Sequence, residues 1–183
     1  IFIASILGWP LPLIALQILW INLITDGLPA LALGVDPIGK GIMDLKPRNK
    51  KEHIVTKNMS LSIILTGILI AIATLILFNK YLPNLEKART IAFTSLVVFE
   101  LVRVYIVRAQ YKIKLFSNKS LILAVATSLF LQLLVIYTPL NTLFKTTYLN
   151  IIEWVYIIIA ATIILLLGTI AIPIIKMITK QAD

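Results

Sequence analysis

The sequence predicts an all-α, polytopic transmembrane helix bundle: five full spans preceded by the end of a truncated sixth. Three observations predict it. Of 183 residues, 60% are hydrophobic and 14% are charged, against about 45–50% and about 25% in soluble chains. The mean hydropathy is +0.99. The apolar residues gather into stretches of the roughly 20 that a helix needs to cross a bilayer, with short polar joints between them. A soluble globular domain and a disordered chain, which needs low hydrophobicity, are both excluded. With no cysteine, disulfides, thiolate metal sites and thiol nucleophiles are excluded too. The net charge of +9 does not indicate nucleic acid, because the basic residues sit in the joints, where membrane topology accounts for them.

The elements follow in order. Ile1 to Leu7 is apolar, with no initiator Met and no basic leader, so it is not a signal peptide. Seven residues are too few to cross about 30 Å at about 1.5 Å each, and the segment reads as the last turns of a helix that begins earlier. The whole chain, 1–183, is therefore expected to be one C-terminal transmembrane domain of something longer. Gly8-Trp9-Pro10-Leu11-Pro12 makes a turn with an interfacial aromatic. The first full span is expected over Leu13–Gly34, the second over Met59–Phe78, the third over Thr90–Val107, the fourth up to Tyr137 and the fifth over Ile151–Ile175. Alternate joints hold twelve Lys and Arg on one side and four on the other. The positive-inside rule puts the loop 35–58 and the C-terminal tail in the cytoplasm, and the expected location is the plasma membrane.

Chemistry in such a chain is sought among ionisable groups inside the spans, each of which costs a few kcal/mol and marks a pathway or a site. Asp26, Glu100 and Arg103 lie deep. Asn22, Thr25 and Asp26 are spaced i, i+3, i+4, which is one face of an α-helix. Pro29 has no N–H and clashes with the carbonyl four residues back, and Gly27 adds backbone freedom. The helix is expected to unwind at Thr25–Leu28 and free carbonyl oxygens in mid-membrane, where such backbone must be buried in protein or line a cavity. Oxygens of Asn22, Thr25, Asp26 and Glu100 would suit a small, hard cation, and broken helices at the midplane are a device of transporters. A plain proline kink, with Asp26 bonded to a neighbouring helix, is the alternative. Glu100 stands three residues before Arg103 on one face, so it reads equally as a cation ligand or as half of an ion pair. Gln132 is expected to bond across to another helix, Glu153 to anchor at the interface beside Trp154 and Tyr156, and His53 to be solvated. There is no Gly-rich phosphate loop, no nucleophile–base pair and no HExxH, so no catalytic residue is expected in this chain.

The run Leu16-Gln17-Ile18-Leu19-Trp20-Ile21-Asn22-Leu23-Ile24-Thr25-Asp26-Gly27-Leu28-Pro29-Ala30 resembles the sixth transmembrane helix of P-type cation-transporting ATPases, above all the calcium-pump branch. Gly34-Val35-Asp36-Pro37 and Ile42-Met43-Asp44-Leu45-Lys46-Pro47-Arg48 resemble the cytoplasmic loop that follows that helix, and Phe93-Thr94-Ser95-Leu96-Val97-Val98-Phe99-Glu100 takes the eighth-helix position. The resemblance implies that Asn22, Thr25 and Asp26 ligate the transported cation, with Ca2+ as that cation, and that Glu100 stands at an acidic ligand position of two-site calcium pumps. Arg103 departs from the small polar residue usual nearby, against a full two-site arrangement. Asp44 and Arg48 would lie in the loop 35–58 where it meets a phosphorylation domain. The resemblance further implies that the partners are the bilayer and the N-terminal remainder of the same pump, and that ATP and Mg2+ act only through domains outside these residues. The phosphorylated aspartate motif occurs nowhere here, so this stretch is not expected to hydrolyse ATP alone. The competing expectation is a stand-alone passive cation channel or a non-catalytic partner subunit.

Overall fold

A computed structural model describes residues 1–36, 55–111 and 113–180. The expected sites Asp44 and Arg48, and His53 with them, lie outside the described residues. All regular structure described is helical: α1 (Phe2–Ile6), α2 (Ala15–Trp20), a π-helical segment (Ile21–Asp26), α3 (Gly27–Leu33), α4 (Lys57–Lys80), α5 (Leu85–Gln110), α6 (Lys119–Tyr137), α7 (Leu140–Phe144) and α8 (Ile151–Lys180). Five stretches are long and apolar enough to cross a membrane: Ala15–Leu33, Lys57–Lys80, Leu85–Gln110, Lys119–Tyr137 and Ile151–Ile175. They match the five expected spans, and the chain is a polytopic membrane helix bundle. Ile1–Leu7, expected as the end of a further helix, contains α1, which Gly8 closes with a φ of 69°, a value that only glycine adopts without strain.

In lipid every backbone polar group must find a partner inside the protein, and a polar side chain left against hydrocarbon is costly. That requirement sets the arrangement. Helix α5 carries Thr90, Thr94, Ser95, Glu100, Arg103 and Arg108, and it is the most buried of the spans. Phe93, Val97 and Leu101, at i, i+4 and i+8, pack with Leu13, Val135 and Phe144. Ile91, Phe99 and Ile106 point the other way, into a core shared with Ile70, Leu77, Ile157 and Ile164. One side of α5 thus meets α4 and α8, while the other meets the broken span and α6. The hydroxyls of Thr66, Thr90, Thr162 and Thr169 each donate to a carbonyl four residues back in their own helix, so they cross lipid without an unmet donor. As expected, Gln132 bonds across helices, its Nε2 donating to Thr94 Oγ1 at 3.3 Å.

The two ends of the bundle are tied differently. At one end Trp154 Nε1 donates to the Tyr137 hydroxyl at 2.7 Å, which in turn donates to the Leu149 carbonyl at 2.7 Å. Glu153 pairs with Lys87 at 3.3 Å and accepts from the Asn150 amide, which anchors the start of α8. At the other end Arg108 is 1% exposed. Its guanidinium grips both carboxylate oxygens of Asp36 at 3.1 Å and also donates to the Leu115 carbonyl at 2.7 Å and Ser117 Oγ at 2.8 Å. Asn118 accepts from the Leu121 amide as the N-cap of α6 and donates to Asp36 Oδ1 at 2.9 Å and the Ala32 carbonyl at 2.8 Å. Arg108 is therefore a buried structural cation, where the charge count had it as a loop charge. The asymmetry of basic residues survives without it.

Helices α5 and α8 are in tight contact at Gly168, where an added Cβ would come within 2.6 Å of Ile106 Cδ1 and 3.2 Å of its Cγ2. Gly168→Val is expected to destabilise the detergent-solubilised protein by about 1–3 kcal/mol through overpacking. Adding Ile106→Ala to it is expected to recover part of that loss, as read by thermal unfolding. Two independent losses that simply add would show that no close contact exists there.

Candidate cation site

The first span is pinned at both ends. At its start Gln17 is fully buried, accepting from the Ile14 amide at 3.2 Å and donating to the Phe144 carbonyl at 3.0 Å. Trp20 stands edge-on to Phe144 with ring centroids 5.0 Å apart. At its far end Asp36 and the Ala32 carbonyl are held by Arg108 and Asn118. Pro29 lies between these anchors, where an N–H is missing from the ladder.

The expected unwinding at Thr25–Leu28 takes another form. Gly27 and Pro29 sit in the first turn of α3, with Gly27 at helical φ and ψ (−64°, −50°), and the irregularity lies upstream as the π segment Ile21–Asp26. The helix is widened, not unwound. The π segment ends at Asp26 and Pro29 stands in the first turn of α3, so at the junction of the two ladders the carbonyls just upstream of Pro29, Ile24 among them, are short of main-chain N–H groups. Ser128 Oγ, on α6, donates to the Ile24 carbonyl at 3.0 Å. The freed acceptor is thereby satisfied inside the protein, as a hydrocarbon surrounding requires.

The wider turn changes which side chains share a face. In an α-register, at about 100° per residue, Thr25 would lie about 60° from Asn22. At about 80° per residue the separation grows to about 120°, while Asn22 and Asp26 stay within about 40° of each other. The burial pattern agrees: Asn22 and Asp26 are exposed, and Thr25 is 2% exposed, with its hydroxyl lacking a partner. The structure thus keeps two of the three expected residues on one face and turns the third into the bundle.

Across from the π segment, Arg103 Nε comes within 2.6 Å of Glu100 Oε2, as an ion pair whose N–H does not point along the line of contact. Asp26 interacts electrostatically with both Glu100 and Arg103. The three deep ionisable groups, two carboxylates and one guanidinium, thus lie within one another's electrostatic field. Among the described residues no cluster of three or more His, Cys, Asp or Glu comes together.

This arrangement can be set beside known proteins. Residues 10–174 match the family model described as cation transporting ATPase, C-terminus. The chain belongs to this family. Members of the family that it resembles include a calcium-transporting ATPase of Bacillus subtilis, 39% identical over 163 residues, which cover 85% of this chain and 18% of the relative. The human calcium-transporting ATPase type 2C member 1 is 39% identical over 165 residues, covering 86% of this chain and 18% of that protein. Calcium-transporting ATPase 1 of Bacillus cereus is 32% identical over 194 residues, covering 93% of the chain and 22% of its own length. The chain spans only about a fifth of the length of these curated relatives.

Sequence reasoning missed Ser128 as part of this site, because a serine at mid-helix gives no sign of whose carbonyl it meets. It also missed the Asp36–Arg108–Asn118 network, whose members lie more than 70 residues apart along the chain at the Asp36–Arg108 contact. For the ion pair, Glu100→Gln and Arg103→Gln are each expected to lower stability, and the double variant less than their sum, by a coupling of about 1–2 kcal/mol. Denaturation of the four proteins in detergent measures it, and zero coupling would dissolve the pair.

Proposed function

We propose that this chain is the ion-binding and membrane-anchoring C-terminal part of an ATP-driven cation pump, with Ca2+ as the transported ion. The observation that carries the reading is the π segment that presents Asn22 and Asp26 together on an exposed face in mid-span. A polar, charged face in the middle of a lipid-crossing helix is costly unless something binds there, and amide and carboxylate oxygens suit a hard divalent ion. Membership of the cation-transporting ATPase family and the names of its calcium-transporting relatives support the choice of ion.

Asn22 and Asp26 are the direct ligands in this proposal. Glu100 adds negative charge near them, and Arg103 offsets one of the two carboxylates, which leaves one net negative charge and favours a single divalent ion. Ca2+ takes about six to eight oxygen ligands, more than one amide and one carboxylate supply. The remaining ligands come from earlier helices of the longer protein, set against the exposed face of Asn22 and Asp26. The Thr25 hydroxyl, on the inward face, is a reserve ligand reached only if the helix changes register. The basic loop 35–58 and the tail lie in the cytoplasm of a plasma-membrane pump, a reading that the distribution of Lys and Arg supports. Within that loop Asp44 and Arg48 meet the phosphorylation domain, through which ATP and Mg2+ act.

In the full-length protein, Asp26→Asn is expected to weaken cation activation of phosphorylation by ATP at least about a hundredfold, the scale of losing a charged ligand, with expression intact. Normal activation by Ca2+ in that variant would remove the site.

A further inference from the structure

Ser128 differs from four of the threonines in the spans. Thr66, Thr90, Thr162 and Thr169 donate back into their own helices. Ser128, 1% exposed on α6, instead crosses to the main chain of the first span. Its acceptor, the Ile24 carbonyl, lies at the junction of the π segment and α3, where main-chain N–H groups are scarce; in a continuous α-helix the Leu28 N–H would take it. In an α-register the orphan would be Thr25, one residue on and rotated by about 100°, out of line with Ser128. The hydrogen bond is therefore made in one register and lost in the other.

The neighbouring contacts fix α6 in place for this task. Asn118, at the start of α6, holds the Ala32 carbonyl at 2.8 Å, and Ser128 holds Ile24 two to three turns further along, so the two helices run antiparallel with their register set at two points. Toward the other end of α6, Gln132 is tied to Thr94 of α5 at 3.3 Å. Ser128 is thus presented on a fixed helix, while the chain it grips is irregular.

We propose that Ser128 is a positioning residue for cation binding: its hydrogen bond to the Ile24 carbonyl holds Ile21–Asp26 in the π-register, which keeps Asn22 and Asp26 on the cation-facing side and Thr25 off it. The inference rests on the proposed cation site at Asn22 and Asp26. Removing the hydroxyl leaves the Ile24 carbonyl unmet in a lipid-crossing helix, which costs more than an ordinary lost bond; the π-register thereby loses the contact that favours it over the α-register, and the balance shifts toward the latter. Thr25 then rotates toward the cation side, and the oxygens of Asn22 and Asp26 move relative to the ligands they work with.

The test uses the full-length protein in two readouts. The first is the Ca2+ and Mn2+ concentration dependence of phosphorylation by ATP in wild type, Ser128→Ala, Ser128→Thr and Asp26→Asn. The second is the reaction of a maleimide with Thr25→Cys, alone and combined with Ser128→Ala, in the presence and absence of Ca2+. Ser128→Ala is expected to raise the half-activating Ca2+ concentration about three- to tenfold and to alter the Ca2+ to Mn2+ preference, with the maximal phosphorylation level retained. Ser128→Thr, which keeps the donor, should restore wild-type behaviour, and Thr25→Cys should gain reactivity only when Ser128→Ala is also present. Unchanged reactivity of Thr25→Cys would overturn the register role. A register shift with unchanged half-activation by both ions, while Asp26→Asn still weakens activation, would overturn the positioning role and leave the cation site standing. Normal activation in Asp26→Asn would overturn the site and the proposal together, and so separates that failure from the other two.

Discussion

Pro29 has no N–H to give, and it sits where no water can replace one. That single missing donor organises the first span. A soluble helix would relieve it with solvent, but a helix in hydrocarbon must satisfy the freed carbonyl from within the protein. Here the relief is a widened turn over Ile21–Asp26 together with the Ser128 hydroxyl at 3.0 Å from Ile24. The same turn separates Thr25 from Asn22 and Asp26, so a local backbone defect determines which oxygens face outward. π turns are uncommon and recur at functional sites, and in this chain the reason is geometric: the defect redirects side chains without breaking the span.

The rest of the bundle serves to hold that defect still. Helix α5 occupies the centre because its polar residues have no acceptable place against lipid, and its two apolar stripes glue α4 and α8 on one side and the broken span with α6 on the other. The span itself is clamped at Gln17 and Trp20 at one end and at Asp36 and Ala32 at the other. Clamping both ends leaves the middle as the place where an irregular register is tolerated. Arg103 sits against Glu100 and interacts electrostatically with Asp26, which offsets carboxylate charge that hydrocarbon would penalise heavily.

Much of this was legible in the residues. The five spans follow from length and hydropathy, because the bilayer imposes one thickness on all of them. Asn22, Thr25 and Asp26 announce themselves as polar groups in an apolar run, and Glu100 with Arg103 as an i, i+3 pair, since both are local patterns. What stayed hidden has a physical cause in each case. The spacing rule for Asn22, Thr25 and Asp26 assumes about 3.6 residues per turn, and nothing in the sequence says that this turn is wider. Arg108 looks like one of several loop cations, because its partner Asp36 is 72 residues away. Asn118 caps α6, and its amide does a second task on Ala32 and Asp36 that only the packing of α6 creates.

The central claim is that the first span runs in a π-register upstream of Pro29. These 183 residues hold no cysteine, so a single cysteine placed in the first span meets no competing thiol from within them. The most direct measurement is the maleimide labelling rate, in detergent, of Asn22→Cys, Leu23→Cys, Thr25→Cys and Asp26→Cys in separate proteins. A π-register predicts fast labelling at 22, 23 and 26 and slow labelling at 25. Equal labelling at 22, 25 and 26, the single face of an unbroken α-helix, would contradict it.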